Sequence, residues 1–256
     1  MEEIRSRSNP LITHIRRLTG SKKQRRAAGE VVCEGPKMLR EALLWGAEIT
    51  VILETEEAVQ PLPALPGGIR RVRGPRDLLQ TVADTQTPQE LLFLCRIPAL
   101  TLPEQLSGGR YLVLDGLQDP GNVGTIWRTA DAFGADGLIL FPGCADPWSP
   151  KTLRGSMGAC FRLPLWETTL PELRERLAEA RLPLRAAALL EGAEDLRQVS
   201  LKRGAVVIGS EGRGVSSEVL AACDGRALKI PMRERCESLN AATAASVILW
   251  VMSAET

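Results

Sequence analysis

Short, predominantly apolar runs recur along this chain, unbroken at 111–114, 138–141 and 205–208, and most are followed by a helix-like stretch. They lie at residues 31–34, 49–53, 91–97, 111–114, 138–141, 184–189, 205–208 and 228–230. A strand that is apolar at alternate positions keeps one wet face, whereas an unbroken run must be covered on both. Strands of the second kind alternating with helices predict an α/β chain built on parallel sheet.

A chain of 256 residues, 44% hydrophobic and 25% charged, has enough apolar side chains for two cores of ordinary size. Residues 98–109, with Pro98, Pro103, Gly108 and Gly109, read as a linker. They divide a small α/β unit over 1–97 from a larger one over 110–256. In the first unit, Ser8-Asn9-Pro10 is a helix-start signal. Leu11, Ile15 and Leu18 then share a face and Gly20 closes the helix. A second helix carries Met38, Leu39, Ala42 and Leu43 and stops at Gly46. In the second unit, helices are expected over 123–133, 171–181 and 237–252. The last covers most of the uncharged stretch 238–254, which is shorter than the ~20 residues of a membrane span and so predicts a buried helix.

Thirty-two basic against 31 acidic residues leave a net charge of +1, so no global field draws the chain to nucleic acid. The distribution is uneven. Arg5, Arg7, Arg16, Arg17, Lys22, Lys23, Arg25 and Arg26 fall between Ile4 and Gly29 with no acidic residue among them. That density favours phosphate contact, with Arg16, Arg17, Lys22, Lys23, Arg25 and Arg26 as the candidate RNA-binding set. Arg70, Arg71, Arg73 and Arg76 form a second, weaker patch. Aromatic residues make up only 4%, which makes recognition of a nucleic acid by base stacking less favoured than recognition by shape. The six cysteines are scattered and His14 is the only histidine, so no metal site is expected. Reduced thiols and an N-terminus without a secretory pattern predict a cytoplasmic protein with no membrane association.

Three polar clusters follow expected strands, where open parallel sheets build their ligand sites. The first runs from Asp115 through Asp119-Pro-Gly-Asn122 to Arg128-Thr-Ala. Here Asn122 is a candidate cap for the following helix, and Arg128, nearly two turns later, is expected near its side. The second is Gly209-Ser-Glu-Gly-Arg-Gly214. The third is Ile230-Pro-Met, then Glu237-Ser-Leu-Asn240-Ala-Ala. Neither glycine-rich turn matches a phosphate-binding P-loop or the dinucleotide fingerprint.

In this order and spacing the three clusters resemble the SpoU (TrmH-type) ribose 2′-O-methyltransferases of the SPOUT superfamily. The likeness is dense over residues 110–256, including Ser149-Pro-Lys151 and Ser156-Met-Gly158. It extends more loosely to Ser8-Asn9-Pro10 and Glu34-Gly-Pro-Lys37 of the first unit, which is similar to that family's L30e-like RNA-binding domain. The resemblance implies a C-terminal trefoil knot, homodimers with shared active sites, and S-adenosylmethionine held around Leu189, Gly209, Ile230, Met232 and Leu239. It also implies a catalytic set of Asn122, Arg128, Glu211, Ser238 and Asn240. Arg128 would reach across the dimer and clamp the phosphate beside the target ribose, Asn122 would orient ribose or arginine, and Glu211 would fix the arginine or the loop. Glu234 stands where the family often has glycine, so a loop needing positive φ there would be strained. The implied substrate is 23S rRNA; the alternatives are a tRNA methyltransferase and a non-catalytic RNA-binding or ribosome-assembly protein.

Overall fold

A computed structural model describes residues 1–58, 62–85 and 87–254. The chain divides into two compact units: Met1–Pro98 with Asp146–Phe161, and Ala99–Ala145 with Arg162–Thr256.

The first unit opens with β1 (Glu2–Glu3), α1 (Pro10–Gly20), α2 (Lys22–Ala28), β2 (Glu30–Glu34) and α3 (Pro36–Leu44). It continues with β3 (Ile49–Thr55), β4 (Arg70–Gly74), α4 (Arg76–Gln80) and β5 (Leu91–Arg96). Asn9 caps α1 by accepting from the Leu11 amide at 2.9 Å, with proline at the first helical position. Leu11, Ile12, Ile15 and Leu18 then face inward. The mixed sheet runs β1-β4-β3-β5-β2, parallel through β1, β4 and β3 and antiparallel through β5 and β2. Val32, Leu53, Val72, Leu92 and Leu94 join the face of α1 in one core.

The second unit contains β6 (Arg110–Asp115), α5 (Pro120–Ala132) and β7 (Gly137–Leu140). α6 (Pro150–Ser156) lies in the Asp146–Phe161 segment and belongs to the first unit. The second resumes with β8 (Leu165–Glu167), α7 (Leu170–Glu179), β9 (Leu184–Ala187), β10 (Glu194–Asp195) and β11 (Gly204–Gly209). It closes with α8 (Ser217–Ala222), β12 (Ala227–Lys229) and α9 (Ala241–Ala254). The seven strands lie in the order β10-β12-β9-β11-β6-β7-β8, every pair parallel.

Alternation along β6 explains why the apolar runs are unbroken. Tyr111 and Val113 pack into a core with Leu173 and Leu177 of α7 and Val219 of α8. Leu112 and Leu114 point to the other face and are just as fully buried. A parallel sheet covered on both sides needs apolar residues at every position.

Two expected boundaries shift. α9 begins at Ala241, four residues later than expected, because the Asn240 side-chain oxygen accepts from the amides of Ala242 (2.9 Å) and Thr243 (3.2 Å) and caps the helix. α5 begins earlier, at Pro120, capped by Asp119, which accepts from Gly121 at 2.9 Å. Asn122 is therefore a first-turn residue, not the cap. The Asp119-Pro120 pair carried that signal in the sequence.

Candidate active site

Four strand ends lie level at one edge of the second sheet. Ile208 of β11 stands opposite Leu114 of β6 and Ala187 of β9, while Leu228 of β12 pairs with Ala187. The loops leaving these ends at residues 188–193, 210–216 and 230–240 therefore share an edge, and a cleft of about 380 Å³ opens among them. Leu189, Gly209, Glu211, Ile230, Met232, Ser238 and Leu239 all line it, together with Leu190, Ser210, Arg213 and Lys229.

The loop after β11 is closed on itself. Ser210 and Gly214 exchange backbone hydrogen bonds at 3.0 and 2.9 Å, with Gly214 at φ +67°. Gly209 lies so close beneath this turn that an added Cβ would meet the Gly214 carbonyl carbon at 2.0 Å. A side chain at Gly209 would push the turn outward, and one at Gly214 would be strained by its positive φ. Asp115, at the end of β6, secures the far side by accepting from the Ser216 amide at 2.8 Å.

A directed line of hydrogen bonds joins the three clusters. The α9 amides donate to the Asn240 side-chain oxygen, Asn240 Nδ2 donates to Asn122 Oδ1 at 3.2 Å, and Asn122 Nδ2 donates to Glu211 Oε1 at 2.7 Å. Reversing either amide would lose bonds at both of its ends, so the network fixes both orientations. Residues 89 and 118 positions apart thus become one assembly at the cleft mouth.

Arg128 stands outside that assembly. It is exposed and its side chain makes no hydrogen bond or ion pair among the described residues. Six residues along a helix turn it through about 600°, about 120° away from Asn122, so the two do not share a side. Glu211 is bound to Asn122 and does not hold the arginine within this chain. Ser238 is exposed and makes no hydrogen bond through its side chain among the described residues. Glu234 carries none of the strain anticipated for it, because the positive-φ residues other than glycine are Met157, Arg181 and Asp224 among the described ones. Cys144, hydrogen-bonded to the Leu114 carbonyl at 3.3 Å, is kept protonated: burial pushes its thiol up to about 11. It offers no thiolate at neutral pH.

The cleft has the volume of a small-molecule site, and its lining is mostly apolar side chains and loop backbone. Leu189 and Leu190 are left 58% and 46% exposed within it, which suits a flat heterocycle laid against them. No side chain could be added at Gly209 without displacing that wall.

Residues 109–250 match the SpoU rRNA Methylase family, more than half of the chain. The chain belongs to the SpoU rRNA methylase family. Residues 9–92 match the MRM3-like substrate binding domain. Among similar proteins, the 23S rRNA (guanosine(2553)-2′-O)-methyltransferase RlmP of Bacillus subtilis is 33% identical over 251 residues, covering 98% of each chain. An AdoMet-bound rRNA methyltransferase from Sinorhizobium meliloti superposes with a TM-score of 0.86 at 29% identity, covering 99% of this chain and 98% of that one. The SpoU methyltransferase AviRb of Streptomyces viridochromogenes, in complex with AdoMet, gives 0.86 at 26%, covering 96% and 98%.

In this SpoU family member the basic residues near the N-terminus divide in two. Arg16, Arg17, Lys22, Lys23 and Arg26 are exposed on α1 and α2. Arg25 is buried, with Nε and Nη2 on Asp146 Oδ2 at 3.0 and 2.6 Å and Nη1 turned to the Leu18 and Thr19 carbonyls. Its place in the RNA-binding set is therefore corrected: the guanidinium is a buried structural group. Arg5 and Arg7 are offset by Glu56 (3.0 Å) and Asp77 (3.8 Å). The second basic patch is largely neutralised too, with Arg70 gripping Glu2 through two bonds and Arg71 on buried Glu54 at 3.0 Å. Arg73 Nε is buried without a hydrogen-bond partner among the described residues.

Proposed function

We propose that this chain is an S-adenosylmethionine-dependent methyltransferase acting on a ribose 2′-hydroxyl in 23S rRNA. The observation that carries this reading is the Asn240–Asn122–Glu211 line at the mouth of a cleft formed by three strand-end loops. Relatives named as 23S rRNA 2′-O-methyltransferases, with whole-chain coverage in the case of RlmP, favour ribosomal over transfer RNA.

S-adenosylmethionine supplies a methyl group on a positively charged sulfonium, already an excellent leaving group. What remains for the chain is alignment, which can account for ~7–11 kcal/mol of a barrier, and the handling of one proton. Leu189, Gly209, Ile230, Met232 and Leu239 would hold the methyl donor, largely through backbone. The Asn122–Glu211 pair would receive the ribose, with Ser238 and Asn240 completing the pocket.

Guanidinium groups stay protonated in proteins, which makes Arg128 a poor proton acceptor and a good phosphate clamp. From that position it would stabilise negative charge developing on the ribose oxygen. The proton would leave late, to phosphate or water.

In this reading the C-terminal segment threads a trefoil knot and the enzyme is a homodimer. Trp250 on α9 is 61% exposed, stacked edge-on to Phe133 at 5.6 Å, on a helix without a single charge. An uncharged helix with an exposed tryptophan suits contact with a second copy. An Arg128 whose side chain has no partner among the described residues of its own subunit fits a residue that works across that contact.

The test is methyl transfer from labelled S-adenosylmethionine to RNA from cells lacking this gene, with the 2′-O-methyl position mapped. Label in 23S rRNA is expected. Label confined to tRNA would establish the alternative, and no S-adenosylmethionine binding by calorimetry would indicate a non-catalytic RNA-binding protein.

The exposed cations of α1 and α2 give a separate prediction. Replacing Arg16, Arg17 and Lys22 by glutamine should weaken rRNA binding and flatten the dependence of log K on log salt by about 2–3, at ~0.7–0.9 per lost phosphate contact. An unchanged slope would remove these helices from the RNA-binding surface.

A further inference from the structure

We infer that Arg213, Arg233 and Arg235 hold RNA phosphates flanking the target ribose, as positioning residues distinct from the Arg128 clamp. This rests on the proposed methyltransferase reading and deepens it.

Two tight turns carry these arginines at the rim of the cleft. Arg213 lines the cleft and sits in the 210–214 turn, where its own amide donates to Ser210 Oγ at 3.3 Å. Arg233 and Arg235 lie in a turn closed by the Cys236 amide on the Arg233 carbonyl at 2.8 Å. That turn interrupts the lining loop between Met232 and Ser238, both of which face the cleft. All three arginines are exposed, and none has a side-chain hydrogen bond or ion pair among the described residues.

The absence of partners is informative because acids stand close by. Glu211 is adjacent in the first turn, but its carboxylate is engaged by Asn122. Glu234 lies between Arg233 and Arg235 in sequence and pairs with neither. Elsewhere in the same unit arginines do find acids: Arg162 with Asp131 at 2.8 Å, Arg185 with Glu194 at 2.9 Å, Arg197 with Asp195 at 2.6 Å. Three uncommitted guanidiniums on two braced turns, beside the residues proposed to receive a ribose, suit anions spaced along a backbone. A phosphate is the anion that RNA offers on both sides of any ribose.

S-adenosylmethionine also carries a carboxylate, and the measurements separate the two anions. The full-length R233Q/R235Q variant, and R213Q separately, would be assayed with 23S rRNA from cells lacking the gene. For the double variant, KM for rRNA should rise about 10–100-fold, with kcat nearly unchanged and the salt slope of rRNA binding flattened by about 1.4 at ~0.7 per single-stranded contact. R213Q should raise KM in the same direction. Binding of S-adenosylmethionine should be unchanged in R233Q/R235Q, whose arginines stand outside the cleft lining. R233K/R235K should recover most of the KM loss, since lysine still meets phosphate as a point charge. An unaltered KM and slope would overturn the proposal. So would a loss confined to S-adenosylmethionine affinity, which would place the arginines on its carboxylate. If wild type itself binds S-adenosylmethionine but methylates no rRNA, the substrate reading fails instead, and the salt slope with bulk RNA still tests the three arginines.

Discussion

Arg128→Ala should lower kcat for rRNA methylation by about 100–1,000-fold, the range for loss of one preorganised charge-stabilising donor. It should leave S-adenosylmethionine affinity and thermal stability unchanged. The stability half of that expectation follows from the structure: an exposed side chain without partners among the described residues leaves nothing buried or unpaired when removed. Arg128→Lys separates clamp from base. Lysine retains the charge but not the planar fork, so a clamp should lose about 10–100-fold with its pH–rate profile keeping the wild-type shape. A titrating base would behave differently, because lysine releases a proton more readily than arginine. Activity largely preserved in Arg128→Lys, with the basic limb displaced to lower pH, would overturn the clamp.

The parts of the fold that announce themselves in the sequence are those whose local signals agree with their packing. Asn9-Pro10 starts α1 and three apolar residues on one face tell where it is buried. β6, β7 and β11 are unbroken apolar runs because both sides of their sheet are covered. β4 gives no such signal. In Arg-Arg-Val-Arg-Gly, Val72 is the one apolar side chain, and the strand exists because it lies between β3 and β1, with Glu2 and Glu54 supplying carboxylates for Arg70 and Arg71. Only tertiary pairing makes that sequence a strand. The Ser149-Pro150 start of α6 was visible as a motif, but its placement with the first unit depends on Asp146, whose partner lies 121 residues earlier.

The site divides along the same line. Spacing along the chain suggested that the three clusters lie at strand ends, and the strand register explains why they meet. Nothing local shows that Asn240 would both cap α9 and donate to Asn122, because that bond forms only once the last helix has docked beside α5. Asp119, not Asn122, caps α5, and Asp-Pro is a legible start signal. The polar Asn122 three residues on competed for the role, and only geometry decides between two candidate caps in one turn.

Arg25 is where charge pattern and burial disagree most, and its removal should have the largest effect on stability. Its side chain is 6% exposed and that of Asp146 10%, joined by two bonds to a single carboxylate oxygen. Asp146 is committed on its other oxygen as well, accepting from the Trp148 amide at 3.2 Å, while its carbonyl accepts from Thr152 Oγ1 in α6 at 3.0 Å. Arg25→Ala would leave this carboxylate buried and unpaired, and the Leu18 and Thr19 carbonyls without their donor. Breaking a buried pair in this way costs about 3–5 kcal/mol. For a chain of this size that corresponds to a fall in Tm of roughly 6–20 °C. Asp146→Asn should fall in the same direction, and the double variant should lose less than the sum of the two, because one deletion already forfeits the shared interaction. A surface phosphate contact would give the opposite pattern: Tm within about 2 °C of wild type, as for most surface substitutions, with a flatter salt dependence of RNA binding. Measured together on Arg25→Ala, Tm and salt slope decide between a residue that holds α2 to the Asp146–Phe161 segment and one that reaches for RNA.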